Sequence, residues 1–219
     1  MPEKHNLLLI GGGGHCRSVI DSLKRNTCYD KIGIIEKRSY DRDTGNILDG
    51  IPIIGFDDEL DKFRSQGYDE AFITVGSTGN ADIRKRLYSI IKKAGFVTPN
   101  IIDKTSAVSN CVQLGNGIFI GKRAIVNAGT SISNAAIINS GSVIEHECVI
   151  GEYVHVSPGS VLCGNVKVGN ETHIGAGSII KQGVCIGNNT MIGMGSVVLG
   201  DIGSCVTAYG NPCKEVING

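Results

Sequence analysis

Residues 142–160 read SVIEHECVIGEYVHVSPGS, and the spacing inside this stretch decides the fold. Ile144, Ile150 and Val156 stand six apart, and two residues before each lies Ser142, Cys148 or Val154. Followed outward, every sixth residue from Val108 to Val198 is aliphatic, and every sixth residue from Ser106 to Ser196 is small or β-branched. A helix repeats its apolar positions at three and four, and a paired strand alternates at two, so neither has period six. Six residues fit one short strand and one tight turn. Glycine, asparagine or serine after most of the aliphatics is expected to supply that turn. Three such units close a coil of eighteen residues, and stacked coils form parallel sheets, a β-helix. About five coils at roughly 4.8 Å each predict a prism on the order of 25 Å tall. No hexad between 106 and 201 is interrupted, so no long loop is expected to leave it.

The totals exclude several functions. Lysine plus arginine equals aspartate plus glutamate at 21 each, so no net field draws in nucleic acid or an anionic membrane. The apolar run near the start, NLLLI, is too short for an export signal or a membrane span, and a cytoplasmic protein is expected. The eight cysteines include no CxxC pair; free thiols in a reducing compartment are the reading, with no metal site.

Residues 1–100 have a different texture and are read as a small α/β domain, with the β-helix and a C-terminal tail over 101–219. NLLLIGGGGH is a buried strand entering a glycine turn, and CRSVIDSLKRN a helix. KIGIIEK and DEAFITVGS are further strands. DDELDKFRSQG is a helix capped by aspartate and ended by glycine, and NADIRKRLYSIIKKAG another helix. Strands alternating with helices imply a small parallel sheet, one Rossmann-like half. Gly11 to Gly14 lie between strand and helix, where backbone N–H groups favour phosphate. Glu36 ends the second strand, where a dinucleotide fold keeps its ribose-binding acid. NAD is disfavoured, because Cys16 replaces the third glycine of GxGxxG and only one mononucleotide half is present. A nucleotide or nucleotide sugar fits better.

Taken together, IGGGGH, ITVGS, IRKRLY, the hexads, IEHECVIGEYVHVS and YGNPCKEV resemble the hexapeptide-repeat sugar acyltransferases of the sialic-acid O-acetyltransferase type. Among these the likeness is strongest to bacterial UDP-4-amino-sugar N-acetyltransferases of the bacillosamine type. The resemblance implies a left-handed β-helix, a homotrimer, acetyl-CoA as co-substrate and a nucleotide-linked amino sugar as acceptor. It also implies that Gly13, Gly14, His15 and Gly76 form a nucleotide-sugar turn, with Glu36 and Lys37 where relatives commonly carry aspartates. Asn139 falls on a polar position of the site, His155 on a coenzyme contact near the thioester, and Ala176 and Met194 on backbone contacts to the coenzyme.

His146 and His155 are nine residues apart, half a coil, so within one chain they face opposite sides of the prism. A site using both has to be built between neighbouring subunits. Acyl transfer to an amine or hydroxyl needs a proton acceptor near neutral pH, which assigns His146 as general base. Glu147 or Glu145 could orient the ring, and the resemblance favours Glu147. Gly164, eighteen residues on, leaves room beside the base and bares an N–H as an oxyanion donor. His155 and His173 could instead form a stacked ladder. Competing functions are an O-acetyltransferase of sialic acid or a related nonulosonate, and a non-catalytic nucleotide-sugar sensor, which the intact His146, Glu147 and Gly164 argue against.

Overall fold

The computed structural model describes residues 5–24, 29–38 and 44–216. Two compact units emerge, Met1–Gly76 with Asp82–Ile101, and Ser77–Ala81 with Ile102–Gly219. The short piece Ser77–Ala81 therefore belongs with the second unit although the chain on both sides of it belongs with the first.

The first unit runs β1 (His5–Ile10), α1 (Gly14–Leu23), β2 (Tyr29–Glu36), β3 (Ile47–Leu48), β4 (Ile51–Phe56), α2 (Leu60–Ser65), β5 (Glu70–Ile73) and α3 (Asp82–Lys93). Its sheet has the order β3-β4-β2-β1-β5, parallel throughout except for β3 against β4. Leu7 to Ile10 on the inner strand β1 are all buried, the continuous apolar run expected of a strand covered on both faces. Sequence reading missed the β3–β4 hairpin. Its signal is Asp49-Gly50, with φ of 48° and 91°, the two-residue turn that matches strand twist. The aspartate cap expected for α2 is also corrected. Glu59 is the N-cap, with no side-chain bond to the helix start, and its carboxylate accepts instead from Phe56 N at 3.0 Å. Gly67 ends the helix with φ of 88°. For α1, Arg25 and Asn26 of the expected segment, like Cys28, lie outside the described residues.

The second unit is a left-handed parallel β-helix. Each strand pairs with the residues eighteen further on, as Val143 does with Val161 and Val149 with Lys167. One face stacks the strands beginning at Ala107, Ile125, Val143, Val161, Ile179 and Val197. The second stacks those at Gln113, Ser131, Val149, Lys167 and Cys185, and the third includes those at Phe119, Ile137, His155, His173 and Met191. The sixth-residue aliphatics fill the centre and are buried from Ile120 onward; Val108 and Leu114 in the first coil are only partly covered. Each fully buried one contributes about 1.5–3 kcal/mol. The last coil is shorter, with Met191 paired to Thr207, and a hairpin of Thr207–Gly210 and Cys213–Val216 closes the third sheet.

The turns correct one expectation. From Gly117 to Gly195 every sixth residue has φ between 49° and 75°, three positions after each aliphatic rather than one. Half of these are not glycine; they include Arg123, Ala135, Glu147 and Tyr153. The glycines directly after the aliphatics serve a different need. A Cβ on Gly175 would lie 2.5 Å from Met194 N, and one on Gly151 2.7 Å from Asn170 N. They are small because successive coils touch there.

Candidate functional site

In the first unit, the expected substrate residues gather at the carboxyl ends of the parallel strands. Gly11, with φ of 102°, leads into Gly13 and Gly14 at the start of α1, and neither of those two glycines has any group within 4 Å of where a Cβ would be. Gly76 comes beside them: its Cβ would meet His15 Cβ at 3.7 Å. Glu36 turns inward and its Oε1 accepts the Gly12 N–H at 2.9 Å. Gly12 thus donates to the protein's own carboxylate, leaving Gly13 and Gly14 as the open part of the turn. Glu36, Lys37 and Gly11 also line a cavity of about 270 Å³, together with Asp57 and Arg86, two residues that sequence reasoning missed. Cys16, at the third-glycine position, is buried and its thiol is pushed up to about 11 by burial, so it is no nucleophile.

In the second unit the expected residues form two groups. His146 and Glu147 occupy the turn between the first and second faces. The imidazole Nδ1 lies 3.3 Å from Glu147 Oε2, with the two side chains 53% and 70% exposed. Glu145 takes the backbone instead, accepting His146 N–H at 3.3 Å. One coil further on, Gly164 sits against the ring: a Cβ there would be 2.5 Å from both Cε1 and Nε2 of His146. Its carbonyl accepts from Gly183 N at 3.0 Å.

The other group lies on the third face and the turn that follows it. His155 is buried, its Nδ1 2.6 Å from Ser77 O and its Nε2 3.3 Å from Asn139 Nδ2. Asn139 Oδ1 accepts from Ser140 N, which fixes the amide so that its NH₂ faces the ring. The tautomer follows. Nδ1 carries the proton and donates to the Ser77 carbonyl, and Nε2 accepts, leaving His155 neutral with both nitrogens engaged. The ring stands edge-to-face with His173, centroids 4.9 Å apart, so the ladder exists. His173 is buried, bonded to Ser157 Oγ at 3.2 Å, and burial holds its pKa below the ordinary 6.5. Ala176 and Met194 are exposed and stacked on the next turn, with Gly195 N donating to Ala176 O at 2.8 Å. Among the described residues no group of His, Cys, Asp and Glu could hold a metal ion.

A model of the PglD N-terminal domain matches residues 6–91, and one of the bacterial transferase hexapeptide (six repeats) matches residues 165–200. Among solved structures, a histidine-to-asparagine variant of perosamine N-acetyltransferase from Caulobacter crescentus, in complex with CoA and GDP-perosamine, is 33% identical. The alignment covers 97% of each chain with a TM-score of 0.90. The chain belongs to the hexapeptide-repeat sugar acetyltransferases. The acetyltransferase domain of PglB from Neisseria gonorrhoeae, in complex with acetyl coenzyme A, is 30% identical over 97% of this chain and 100% of that one, with a TM-score of 0.88. WeeI from Acinetobacter baumannii, 24% identical over 97% of this chain and all of its own with a TM-score of 0.84, shares the fold of this sugar acetyltransferase.

Proposed function

We propose that this sugar acetyltransferase moves an acetyl group from acetyl-CoA to the 4-amino group of a nucleotide-linked amino-deoxysugar, with His146 as general base. The observation that carries this is the packing of the His146 ring on Gly164. Glu147 engages Nδ1, so the proton sits there and Nε2 keeps its lone pair. Gly164 puts no side chain beside Nε2. As the sugar amine attacks the thioester carbonyl, Nε2 takes the proton the nitrogen loses. The tetrahedral intermediate collapses to the amide and expels the coenzyme as thiolate, which recovers the proton. In this proposal the Gly164 N–H stabilises the oxyanion. Ala176 and Met194 bind the coenzyme through backbone, with His155 and Asn139 shaping the adjacent wall. That a histidine is the residue replaced in the liganded Caulobacter enzyme is in keeping with imidazole chemistry.

A homotrimer completes the site in this proposal. The outward column of the first face is unbroken aliphatic, from Ala107 through Ile125, Val143, Val161 and Ile179 to Val197. On the second face the corresponding column is mostly polar, with Gln113, Ser131 and Lys167. The apolar face lies between the His146 turn on one side and the Ala176–Met194 turn on the other. Packing it against other copies buries it and places one chain's base beside the neighbour's coenzyme contacts. In the first unit, Gly13, Gly14, His15 and Gly76 receive the diphosphate and Glu36 and Lys37 the adjoining nucleoside. The resemblance pointed to UDP.

Thiol release from acetyl-CoA tests the reaction, with UDP- and GDP-linked 4-amino-sugars, UDP-GlcNAc, free sialic acid and CMP-sialic acid as acceptors. Release is expected with a 4-amino-sugar alone and its loss in His146→Ala. Release with sialic acid instead would move the protein to O-acetylation, and silence with no coenzyme binding would end the acyltransfer reading.

A further inference from the structure

The cavity at the carboxyl ends of β1, β2, β4 and β5 holds a feature that the glycine turn does not explain. Ligands of open parallel sheets bind in that crevice, and the open N–H groups of Gly13 and Gly14 provide for a diphosphate at its edge. Beside Glu36 the cavity is lined by apolar side chains that include Ile83 and Leu87. Asp57 lies on its side, immediately after β4, with its backbone N–H held by Glu36 O at 2.9 Å. The Asp57 side chain is only 13% exposed. Its Oδ2 has one long contact, 3.4 Å to Arg86 Nη2. Among the described residues no other hydrogen bond holds this carboxylate, and Arg86 keeps most of its donors unused. A half-buried carboxylate so lightly paired keeps acceptor capacity for a ligand in the cavity.

Resting on the nucleotide-sugar reading of this site, we infer that the cavity reads the nucleobase and that the Asp57–Arg86 pair selects guanine. Guanine carries N1–H and the N2 amino group side by side, two donors that a carboxylate accepts with its two oxygens. Beside them stands O6, an acceptor within the reach of a neighbouring guanidinium, the favoured partner of guanine's carbonyl edge. Uracil has a single N3–H between two carbonyls, so an aspartate facing it sets oxygen against oxygen. Cytosine and adenine each offer one amino group and no second donor beside it. The acceptor of this enzyme is therefore GDP-linked, in place of the uridine nucleotide that the resemblance suggested. Asp57 and Arg86 are the specificity-determining residues, and the Arg86 contact loosens to admit the base.

Calorimetric titration of the full-length protein with GDP, UDP, CDP and ADP tests this, on the wild type, Asp57→Asn and Arg86→Gln. GDP is expected to bind at least about tenfold more tightly than the other three. Asp57→Asn should cost GDP about 10- to 100-fold and leave UDP unchanged. Arg86→Gln, on a side chain 59% exposed and hence tolerant of change, should cost GDP less but in the same direction. Far-UV circular dichroism and thermal unfolding, measured in parallel, report that each variant is folded. UDP, CDP or ADP binding as tightly as GDP, or full GDP affinity in both variants, would overturn the base assignment and leave the nucleotide-sugar site standing. If none of the four binds to protein that still takes acetyl-CoA, the nucleotide site itself is lost.

Discussion

His146 and His155 are the same side chain, nine residues apart in the same repeat, and the β-helix gives them opposite conditions. His146 stands on a turn, about half exposed, with one nitrogen on a carboxylate and the other against a glycine. His155 lies on a face, buried, with one nitrogen giving to a carbonyl and the other taking from an amide. The first can gain a proton without losing a bond. For the second, protonation would set an N–H against the Asn139 amide donors. Exposure and structural anchoring are thus separated by position in the hexad, turn or strand, rather than by residue type.

The sharpest way to break this contrast is to exchange roles. His146→Asn is expected to lower kcat by about 10²–10⁴-fold while thermal unfolding barely moves. A large fall in Tm with kcat retained would reverse the assignment. The glycines extend the same contrast. Gly175→Ala sets a methyl against Met194 backbone and should destabilise by about 3 kcal/mol. Gly164→Ala meets only an exposed ring that can swing aside, so kcat should fall and Tm hold; equal unfolding temperatures for the two variants would show that the coils have slack. His155→Asn should cost about 2 kcal/mol, read by denaturant titration. If it raised the KM for acetyl-CoA without loss of stability, His155 would be a coenzyme ligand first.

Glu147→Gly sharpens the comparison on the other side. With φ of 60° at Glu147, glycine should raise stability by about 1 kcal/mol. Activity should fall by at most about tenfold, since a solvent-exposed contact between the two side chains orients weakly. Tm and kcat moving together would contradict this. The smallest effect concerns His173. Its folded pKa is depressed by burial, so below the ordinary 6.5 the unfolded chain binds the proton more readily than the native one. Its contribution to stability is complete above that value and declines as pH falls toward the folded pKa. Tm measured between pH 8 and pH 5 should show the decline, and His173→Gln should flatten it.

The β-helix was legible because one solenoid position, the aliphatic, has a single requirement repeated without exception. The turn was less legible. Sequence reading placed the glycine requirement one residue after the aliphatic, yet the left-handed conformation falls three after it and is taken by Arg123, Ala135 and Glu147 as well as glycine. Residue type does not reveal a backbone angle that neighbouring coils enforce, nor a contact such as Gly175 against Met194 that joins residues nineteen apart. In the first unit the glycine turn was visible as a string. Asp57 was hidden in FDDEL, where its neighbours suggested a helix cap, and Arg86 in the charged face of an amphipathic helix. Nothing local distinguishes a charge that lines a cavity from one that faces water.

The pairing of each strand with residues eighteen further on gives the second unit something like a reading frame. Insertion or deletion of eighteen residues adds or removes one whole coil and returns every later side chain to its own face. A change of six keeps the core aliphatics in place but turns all that follows through one third of the prism, moving a glycine out from beside His146. A number that is not a multiple of six takes the aliphatic column off the axis. Length variation in such a protein is therefore quantised, and the chemistry at a turn constrains it more tightly than the core does.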